Sequence, residues 1–205
     1  MSNDRDLILS RVRNALAPLS ERKPLPQWER EVVVMRAARG SVDAWQLFSD
    51  RLRAVNGTPL ERTADLVALL REKQWTHGYC DPQLWPALQA AFGDGFTVET
   101  SFDRSRVDDY QFGITAAVGA IAETGTIILD DTHTSRRLAA LAPWVHVAVI
   151  QRDTLHLDLP SAVQTLGEDP NVIWVTGPSK TADVEGILIE GVHGPGFQVA
   201  LLAER

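Results

Sequence analysis

The C-terminal third of the chain alternates short apolar runs with polar turns, and no other feature of the sequence limits the fold as strongly. An apolar run ends at residues 176–178, and the polar turn 179–181 opens a helical pattern that carries Asp183 and stops at Gly191. The loop 192–196 then leads into another apolar run. Because strand, helix and strand in this order form the βαβ unit of a parallel sheet, the segment predicts an α/β fold.

The same alternation extends upstream through most of the chain. Runs of Val, Ile and Leu separated by helical patterns indicate a parallel or mixed sheet that is flanked by helices and buried on both faces. The Gly- and Ala-rich segment 111–122 is predicted to be helical, residues 56–59 to form a loop, and Thr63 to cap a helix. The other predicted elements are strands at 75–80, 96–101, 126–129 and 145–150, and helices at 42–55, 63–73, 82–92, 134–141 and 159–166.

The N-terminal region differs from the rest in its pattern. Residues 4–18 carry apolar side chains at helical spacing and are predicted to form an amphipathic helix. Residues 20–40 contain prolines and a basic cluster, which is typical of an extended arm or linker. We therefore predict two parts: an N-terminal helix and arm at 1–40, and an α/β domain at 41–205.

Composition argues against several classes of function. The net charge of −7 disfavours binding to nucleic acid or to an anionic membrane surface. Cys80 is the single cysteine, and one thiol cannot ligate an iron–sulfur cluster or close an internal disulfide. No dinucleotide-binding glycine pattern or metal-binding histidine spacing occurs, so we expect no metal and no cofactor. The absence of a signal sequence and of a membrane-length apolar run favours a cytoplasmic protein.

The segment 120–126 places Glu123 between apolar residues and the start of a predicted strand. A partly desolvated carboxylate suits the work of an acid, a base or a nucleophile. The neighbouring Gly125 allows a ligand or another chain segment to approach closely. The alternative is structural: Glu123 caps a turn or pairs with an arginine such as Arg136 or Arg137.

The turn 179–181 and the loop around His193 contain further candidates. A helix that begins at this turn leaves backbone N–H groups unpaired, so together with Lys180 it suits an anion. The alternative is that Ser179 or Thr181 caps the helix while Lys180 is solvated. His193 lies between glycines that permit a sterically demanding backbone, on a loop able to approach other loops.

The loop at 130–137 mixes carboxylates, a histidine and arginines. Asp130 and Asp131 would point to opposite sides of an extended backbone, so they do not form a shared carboxylate site. We interpret the segment as a polar loop between strand and helix, in which Thr134 or Ser135 caps the following helix.

Three ordered motifs carry a resemblance to a known family. They lie at residues 113–126, 177–185 and 191–195, and together they resemble the LUD (lactate-utilisation) domain family. The resemblance implies an α/β sheet of the NagB/RpiA/CoA-transferase type and a role in oxidising L-lactate to pyruvate. It also implies companion proteins, at least one of which carries iron–sulfur clusters. Residues 123–125 additionally resemble the Glu-x-Gly at which related CoA-transferases form a glutamyl thioester.

Two hypotheses of function result. The first is a subunit of a lactate-oxidising assembly that binds a small carboxylate or a partner and carries no redox cofactor. The alternative is a free-standing CoA- or acyl-transferase with Glu123 as nucleophile, so whether the chain is itself an enzyme stays open; a sensor of an organic acid ranks third. The catalytic candidates are Glu123, Asp183 and His193, and the substrate-binding candidates are Thr124, Gly125, Gly177, Ser179, Lys180, Thr181 and Gly194.

Overall fold

The computed structural model describes residues 4–18, 43–134, 137–167, 171–182 and 187–203. The chain divides into two compact units, Met1–Val33 and Val34–Arg205. In the first unit the predicted N-terminal helix is present as α1, Asp4–Leu16, and none of its residues is buried. The arm predicted at 20–40 lies within the segment 19–42, outside the described residues.

The second unit contains the α/β domain. Its described helices are α2 Ala44–Ala54, α3 Thr63–Glu72, α4 Trp85–Phe92, α5 Arg137–Leu141 and α6 Leu159–Thr165, with 3₁₀ helices at Arg104–Asp109 and Arg152–Thr154. Its described strands are β1 Thr58–Leu60, β2 His77–Cys80, β3 Thr97–Glu99, β4 Phe112–Ala116, β5 Gly119–Ile121, β6 Thr126–Asp130, β7 Val145–Ile150, β8 Leu155–His156, β9 Val172–Val175, β10 Lys180–Thr181, β11 Ile189–Glu190 and β12 Phe197–Leu202. Among the described residues, no helix has the length and apolar character needed to traverse a bilayer.

A six-stranded parallel sheet forms the centre of the domain, in the order β1-β12-β7-β4-β2-β3. Two of its inner strands, β7 and β12, pair along their whole length, from Val145–Phe197 to Ile150–Leu202. Side chains alternate between the two faces of a strand, and both faces of this sheet are covered, so the strands read as continuous apolar runs. The predicted α/β class, with a parallel sheet flanked by helices, is confirmed.

The two faces of the parallel sheet are covered by different layers. On one face α3 and α4 supply Leu66, Leu70 and Phe92 to a core that includes Val147 and Leu201 of the sheet. On the other face lie α2 and a four-stranded sheet of order β8-β5-β6-β9. This second layer encloses a core whose large members are Trp45, Phe48, Leu52, Ile127 and Leu129.

The prediction of a helix at residues 111–122 is wrong, because the segment forms the strands β4 and β5. Phe112 and Ile114 belong to the core beneath α3 and α4, so by strand alternation Gly113 faces the opposite layer. A Cβ atom on Gly113 would lie 1.9 Å from the carbonyl oxygen of Ala139. The small residues of this segment therefore allow α5 to approach the sheet closely, which is a role in packing between layers.

Two predictions near α3 are also wrong. The loop predicted at 56–59 contains most of β1, an edge strand whose Pro59 lies opposite Ala200 of β12. Proline is tolerated there because an edge strand has one side without a neighbouring strand. Thr63 is not a helix cap: it is the first residue of α3, and Arg62 occupies the cap position without a side-chain hydrogen bond.

The prediction of a βαβ unit in the C-terminal third of the chain is wrong as well. β9 pairs with β6 in the four-stranded sheet, whereas β12 lies in the parallel sheet. Lys180 and Thr181 form β10, which is antiparallel to β11, so residues 179–181 do not begin a helix. Thr181 lies opposite Ile189, and such β-branched pairs favour strands. Residues 183–186 of the intervening segment lie outside the described chain.

A buried polar ladder crosses β4, β7 and β12. His146 is fully buried, with Nε2 2.9 Å from Thr115 Oγ1 and Nδ1 3.0 Å from Gln198 Oε1. The Gln198 amide nitrogen donates to the carbonyl oxygens of His146 and Val199, at 3.3 and 3.0 Å. Both amide protons are thus used, so Gln198 Oε1 accepts from Nδ1–H, and Nε2 accepts from the Thr115 hydroxyl. Burial lowers the pKa of His146 to about 4, which keeps the imidazole neutral at pH 7.

We expect the protein to lose stability in acid as His146 is forced to take a proton. The folded-state pKa of about 4 lies below the ordinary value of 6.5, so the unfolded chain binds this proton more tightly. The contribution of this group to stability is therefore complete above pH 6.5 and declines as the pH falls towards 4, by about 3 kcal/mol.

Urea unfolding at pH 7 and at pH 4 measures this loss. The variant His146→Gln cannot titrate at this position, so we expect it to lose about 3 kcal/mol less than the native chain over the same interval. Carboxylates titrate in both proteins and cancel in the comparison. Parallel losses in the two proteins would contradict the neutral, buried state of His146.

Candidate functional site

A cavity of about 260 Å³ opens where the turn after β9 meets the loop before β12. Gln198 is the second residue of β12 and Leu141 precedes β7, so the cavity lies at the amino ends of the middle strands. We call it the amino-end cavity. Its described lining residues are Ala140, Leu141, Ile173, Trp174, Val175, Thr176, Gly177, Pro178, Ser179, His193, Gly194, Pro195 and Gln198.

Backbone hydrogen bonds join the two loops that form this cavity. The N–H of Ser179 donates to the carbonyl oxygen of Pro195 at 2.9 Å, and the N–H of Gly191 donates to that of Ser179 at 2.9 Å. A Cβ on Gly194 would lie 3.1 Å from the Cβ of Ser179, so the loops are in close contact. Four predicted site residues thereby come to line one cavity: Gly177, Ser179, His193 and Gly194.

A chain of hydroxyl groups connects the amino-end cavity with the turn between β5 and β6. Thr176, which lines the cavity, has its Oγ1 2.8 Å from Oγ1 of the buried Thr126. Thr126 Oγ1 in turn lies 2.7 Å from Thr124 Oγ1. Thr124 therefore does not line the cavity as a binding residue would, but it is hydrogen-bonded to its wall through one intermediate side chain.

Lys180 is predicted to bind an anion together with the turn 179–181, but its side chain does not line the amino-end cavity. Its Nζ donates to the carbonyl oxygen of Val55 at 3.1 Å and lies 3.4 Å from Glu190 Oε1. Asn56 donates to the same Glu190 oxygen at 2.7 Å, and this hydrogen bond is the main cause of the lowered pKa of Glu190. Lys180 thus fastens the β10–β11 hairpin to the end of α2. Thr181 lies in β10, also outside the lining.

Gly125 and Gly177 serve close packing against α2. Gly125 has a φ of +65°, and a Cβ there would lie 2.5 Å from the backbone nitrogen of Leu52. Gly177 has a φ of +76°, and its Cβ would lie 2.3 Å from the carbonyl oxygen of Val55. Of the two possibilities considered for Gly125, a ligand or another chain segment, the structure shows the chain segment.

Glu123 lies on the turn between β5 and β6 and is half-buried. Its Oε1 accepts a hydrogen bond from the N–H of Leu159 at 2.8 Å, and its own N–H donates to the carbonyl oxygen of Leu157 at 3.1 Å. Leu159 is the first residue of α6, so the carboxylate has the capping role named as its structural alternative. The role of Glu123 as an acyl nucleophile stays a prediction. Asp183 lies outside the described residues.

A second cavity, of about 320 Å³, lies at the opposite ends of the parallel strands. Residues 117–119 follow β4 and Thr154 follows β7, so we call it the carboxyl-end cavity. Open α/β sheets collect ligands at this end of their strands. Its described lining residues are Ala117, Val118, Gly119, Ile128, Asp130, His133, Thr154, His156, Thr165, Leu166, Gly167 and Val172.

The loop interpreted as merely polar holds an ordered carboxylate–imidazole pair in this cavity. Asp130 Oδ1 accepts from the N–H of His133 at 2.6 Å, and Oδ2 lies 2.8 Å from His133 Nδ1. The Thr134 hydroxyl donates to the carbonyl oxygen of Ala116 at 3.1 Å and accepts from the backbone N–H of Asp130 at 3.3 Å. Ser135 lies outside the described residues, and capping of the following helix by Thr134 or Ser135 stays a prediction. The sequence signal for the pair is an acid at a strand end followed three residues later by histidine.

A second histidine, His156, lines the same cavity. Its Nε2 lies 3.2 Å from Thr165 Oγ1, whose single proton is already donated to the carbonyl oxygen of Ala162 at 2.8 Å. Thr165 therefore accepts, and Nε2 carries the proton. Burial lowers the pKa of His156, and nearby Asp158 opposes that shift. Within the described ranges, no group of three or more His, Cys, Asp or Glu side chains is arranged to hold a metal ion.

Residues 82–202, more than half of the chain, match the LUD domain family. Lactate utilization protein C of Deinococcus radiodurans is 33% identical over 102 residues, which are 47% of this chain and 48% of that protein. Lactate utilization protein C of Bacillus pumilus is 26% identical over 200 residues, 87% of this chain and 83% of that protein. The first of these alignments therefore spans about half the length of the relative.

A solved structure shares the fold. The crystal structure of a DUF162 family protein from Deinococcus radiodurans superimposes with a TM-score of 0.57 at 23% sequence identity. The superposition covers 78% of this chain and 96% of that chain. The agreement extends over most of the α/β domain and concerns the fold alone.

Gly177→Ala is expected to lower the free energy of unfolding more than Gly95→Ala. Both glycines have a positive φ, +76° and +96°, so alanine is strained at either position. A Cβ at Gly177 would also contact Val55, whereas nothing lies within 4 Å of one at Gly95. We expect this contact to cost about 1–3 kcal/mol more, as measured by urea unfolding. Equal losses would contradict the close approach of this turn to α2.

Proposed function

The chain belongs to the LUD domain family, and we propose that it serves lactate utilisation as a subunit that binds a small organic acid in the amino-end cavity. Similarity to the relatives named Lactate utilization protein C supports the proposed role in lactate utilisation. The observation that carries the site is that the loops at 177–179 and 193–195, which flank the β10–β11 hairpin, are hydrogen-bonded together and line one cavity.

The polar groups of this lining suit the carboxylate of a hydroxy or keto acid. The hydroxyls of Thr176 and Ser179 and the imidazole of His193 can each donate a hydrogen bond, and bonds to a carboxylate are stronger than neutral ones. A volume of about 260 Å³ is several times the roughly 30 Å³ that one water molecule occupies in the liquid. The cavity therefore has room for a three-carbon acid such as L-lactate or pyruvate.

His193 is the residue on which acid binding depends most in this proposal. Lys180 is bound to Glu190 and Val55, and Gln198 is fully engaged with His146 and Val199. Among the described lining residues, His193 is the side chain that can supply a positive charge, which it does when protonated. Its exposed position at the cavity leaves it able to meet an incoming carboxylate.

We further propose that the oxidation of L-lactate to pyruvate draws its electron acceptor from companion proteins that carry iron–sulfur clusters. The chain has one cysteine, Cys80, which is buried. Burial raises the pKa of its thiol to about 12, so the thiol stays protonated at pH 7 and is a poor ligand. This supports a subunit that positions or recognises the acid while its partners transfer the electrons.

The proposal also includes a fold of the NagB/RpiA/CoA-transferase type. Support comes from the six-stranded parallel sheet, with helices on one face and a second sheet together with α2 on the other. A fold of this type does not by itself assign chemistry, because function depends on the site that a fold carries. The assignment of lactate utilisation therefore depends on the family and on the amino-end cavity.

Calorimetric titration with L-lactate and pyruvate tests the site. We expect His193→Ala to weaken binding at least about tenfold, the effect of losing a hydrogen bond to a charged group. The matched control is Val192→Ala, since Val192 is the preceding residue, is 51% exposed and does not line the cavity. Unchanged affinity in His193→Ala would overturn the site, as would equal weakening in the control.

Growth on L-lactate as the sole carbon source tests the process. Deletion of the gene is expected to abolish or strongly slow growth on L-lactate and to leave growth on glucose unchanged. Complementation with the native gene restores growth, whereas complementation with His193→Ala does so poorly because acid binding is weakened. Undiminished growth of the deletion strain on L-lactate would overturn the assignment to lactate utilisation.

A further inference from the structure

We propose that the carboxyl-end cavity is a second ligand site, one that binds a small organic cation: a protonated primary amine with an apolar body. This inference goes beyond the proposed function and does not depend on it. It rests on the geometry of the Asp130–His133 pair, on the tautomer of His156, on the charge of the lining and on the apolar walls.

The Asp130–His133 pair presents a fixed hydrogen-bond acceptor. Each carboxylate oxygen of Asp130 accepts one N–H of His133, from the backbone at 2.6 Å and from Nδ1 at 2.8 Å. The neutral imidazole therefore carries its proton on Nδ1 and keeps a lone pair on Nε2. The Asp130 side chain is 10% exposed and that of His133 is 68% exposed, so a nearly buried charge holds a ring that ligands can reach.

His156 is a second acceptor in the same cavity. Its Nε2 donates to Thr165, whose own proton is bound by Ala162, so the neutral ring keeps its lone pair on Nδ1. Burial favours that neutral form, because it lowers the pKa of the ring. Both histidines therefore offer acceptor nitrogens when neutral, and a ligand that donates hydrogen bonds complements them.

The charge of the lining selects a cation. Asp130 contributes a carboxylate, and no lysine or arginine occurs among the described lining residues. Arg137, which lies close in sequence, is 3.2 Å from Asp131 and is absent from the lining. Asp158 adds further negative charge beside His156. A partly buried carboxylate attracts an ammonium group and repels a carboxylate ligand.

The rest of the cavity wall is mainly apolar, which favours a ligand with a hydrocarbon part. Aliphatic side chains make up most of it, and the volume of about 320 Å³ accommodates a short branched hydrocarbon. A ligand with an ammonium group at Asp130 and His133 and a hydrocarbon body against this wall satisfies both parts. The aliphatic lining residues are Ala117, Val118, Ile128, Leu166 and Val172.

Three isosteric probes separate charge from hydrophobic contact: isobutylammonium, isobutanol and isobutyrate. We titrate each into the full-length protein and follow the histidine ring resonances by NMR. Isobutylammonium is expected to shift the His133 and His156 signals and to bind at least tenfold more tightly than isobutanol, with isobutyrate weakest. Equal binding of the three probes, or no shift of either ring signal, overturns the proposal.

Variants assign the effect to Asp130. Asp130→Asn is expected to weaken isobutylammonium binding at least tenfold, while Asp153→Asn, which removes the same charge from an exposed neighbour outside the lining, leaves it within twofold. Should Asp130→Asn lose its native circular dichroism spectrum, His133→Phe takes its place, because this ring is largely exposed, and a fivefold or greater loss is expected. Unchanged binding in the folded variant overturns the site. L-Lactate binding is unaffected by either substitution, so failure here is distinct from failure of the amino-end cavity.

Discussion

The C-terminal end of α2 is the place where the functional half of the domain is held together. Two left-handed glycines, Gly125 and Gly177, bring separate turns against its backbone at distances that no side chain permits. Lys180 adds a hydrogen bond to the last turn through Val55, and Asn56 binds the partner strand through Glu190. Gly177, which lines the amino-end cavity, is therefore positioned by a backbone contact with the end of α2, and α2 itself is fixed by Trp45, Phe48 and Leu52 in the core.

The parallel sheet separates two cavities of opposite chemistry. At the amino ends of the middle strands, hydroxyls, a histidine and a dense loop backbone form a lining without a described carboxylate side chain. At the carboxyl ends, Asp130 and two acceptor imidazoles form a lining without a described lysine or arginine. Because the strands are five or six residues long, at roughly 3.3 Å per residue the two ends lie about 15–20 Å apart. Each cavity can therefore bind its own ligand without direct contact between the two.

Much of the α/β layering could be predicted from the sequence, because strands buried on both faces leave apolar runs that are hard to mistake. The strand prediction failed at residues 111–122, because the alanines of this segment are good helix formers and only the close approach of α5 to Gly113 explains why its residues are small. It also failed at 179–181, where the polar turn continues into a hairpin whose pairing partner lies beyond the undescribed residues. Local propensity carries no information about these contacts between distant segments.

The candidate site was predictable only in part, for a related reason. Turn composition pointed to Ser179 and His193, and these do line one cavity, yet it equally pointed to Lys180 and Gly125, which serve packing. The Asp130–His133 pair is a local three-residue signal, but its meaning depends on His156, which is far away in sequence and reaches the cavity through β8.

The ladder of Thr115, His146 and Gln198 has a consequence for how the chain reaches this arrangement. A shift of one residue would turn every side chain of a strand to the other face, whereas a shift of two residues keeps each side chain on its face, so apolar side chains alone do not fix the alignment of these parallel strands. A shift of β7 along its neighbours would leave an imidazole, an amide and a hydroxyl buried without hydrogen-bond partners. Each unsatisfied group costs about 1–3 kcal/mol. The three polar side chains therefore favour the single register of β4, β7 and β12 in which all of them are hydrogen-bonded.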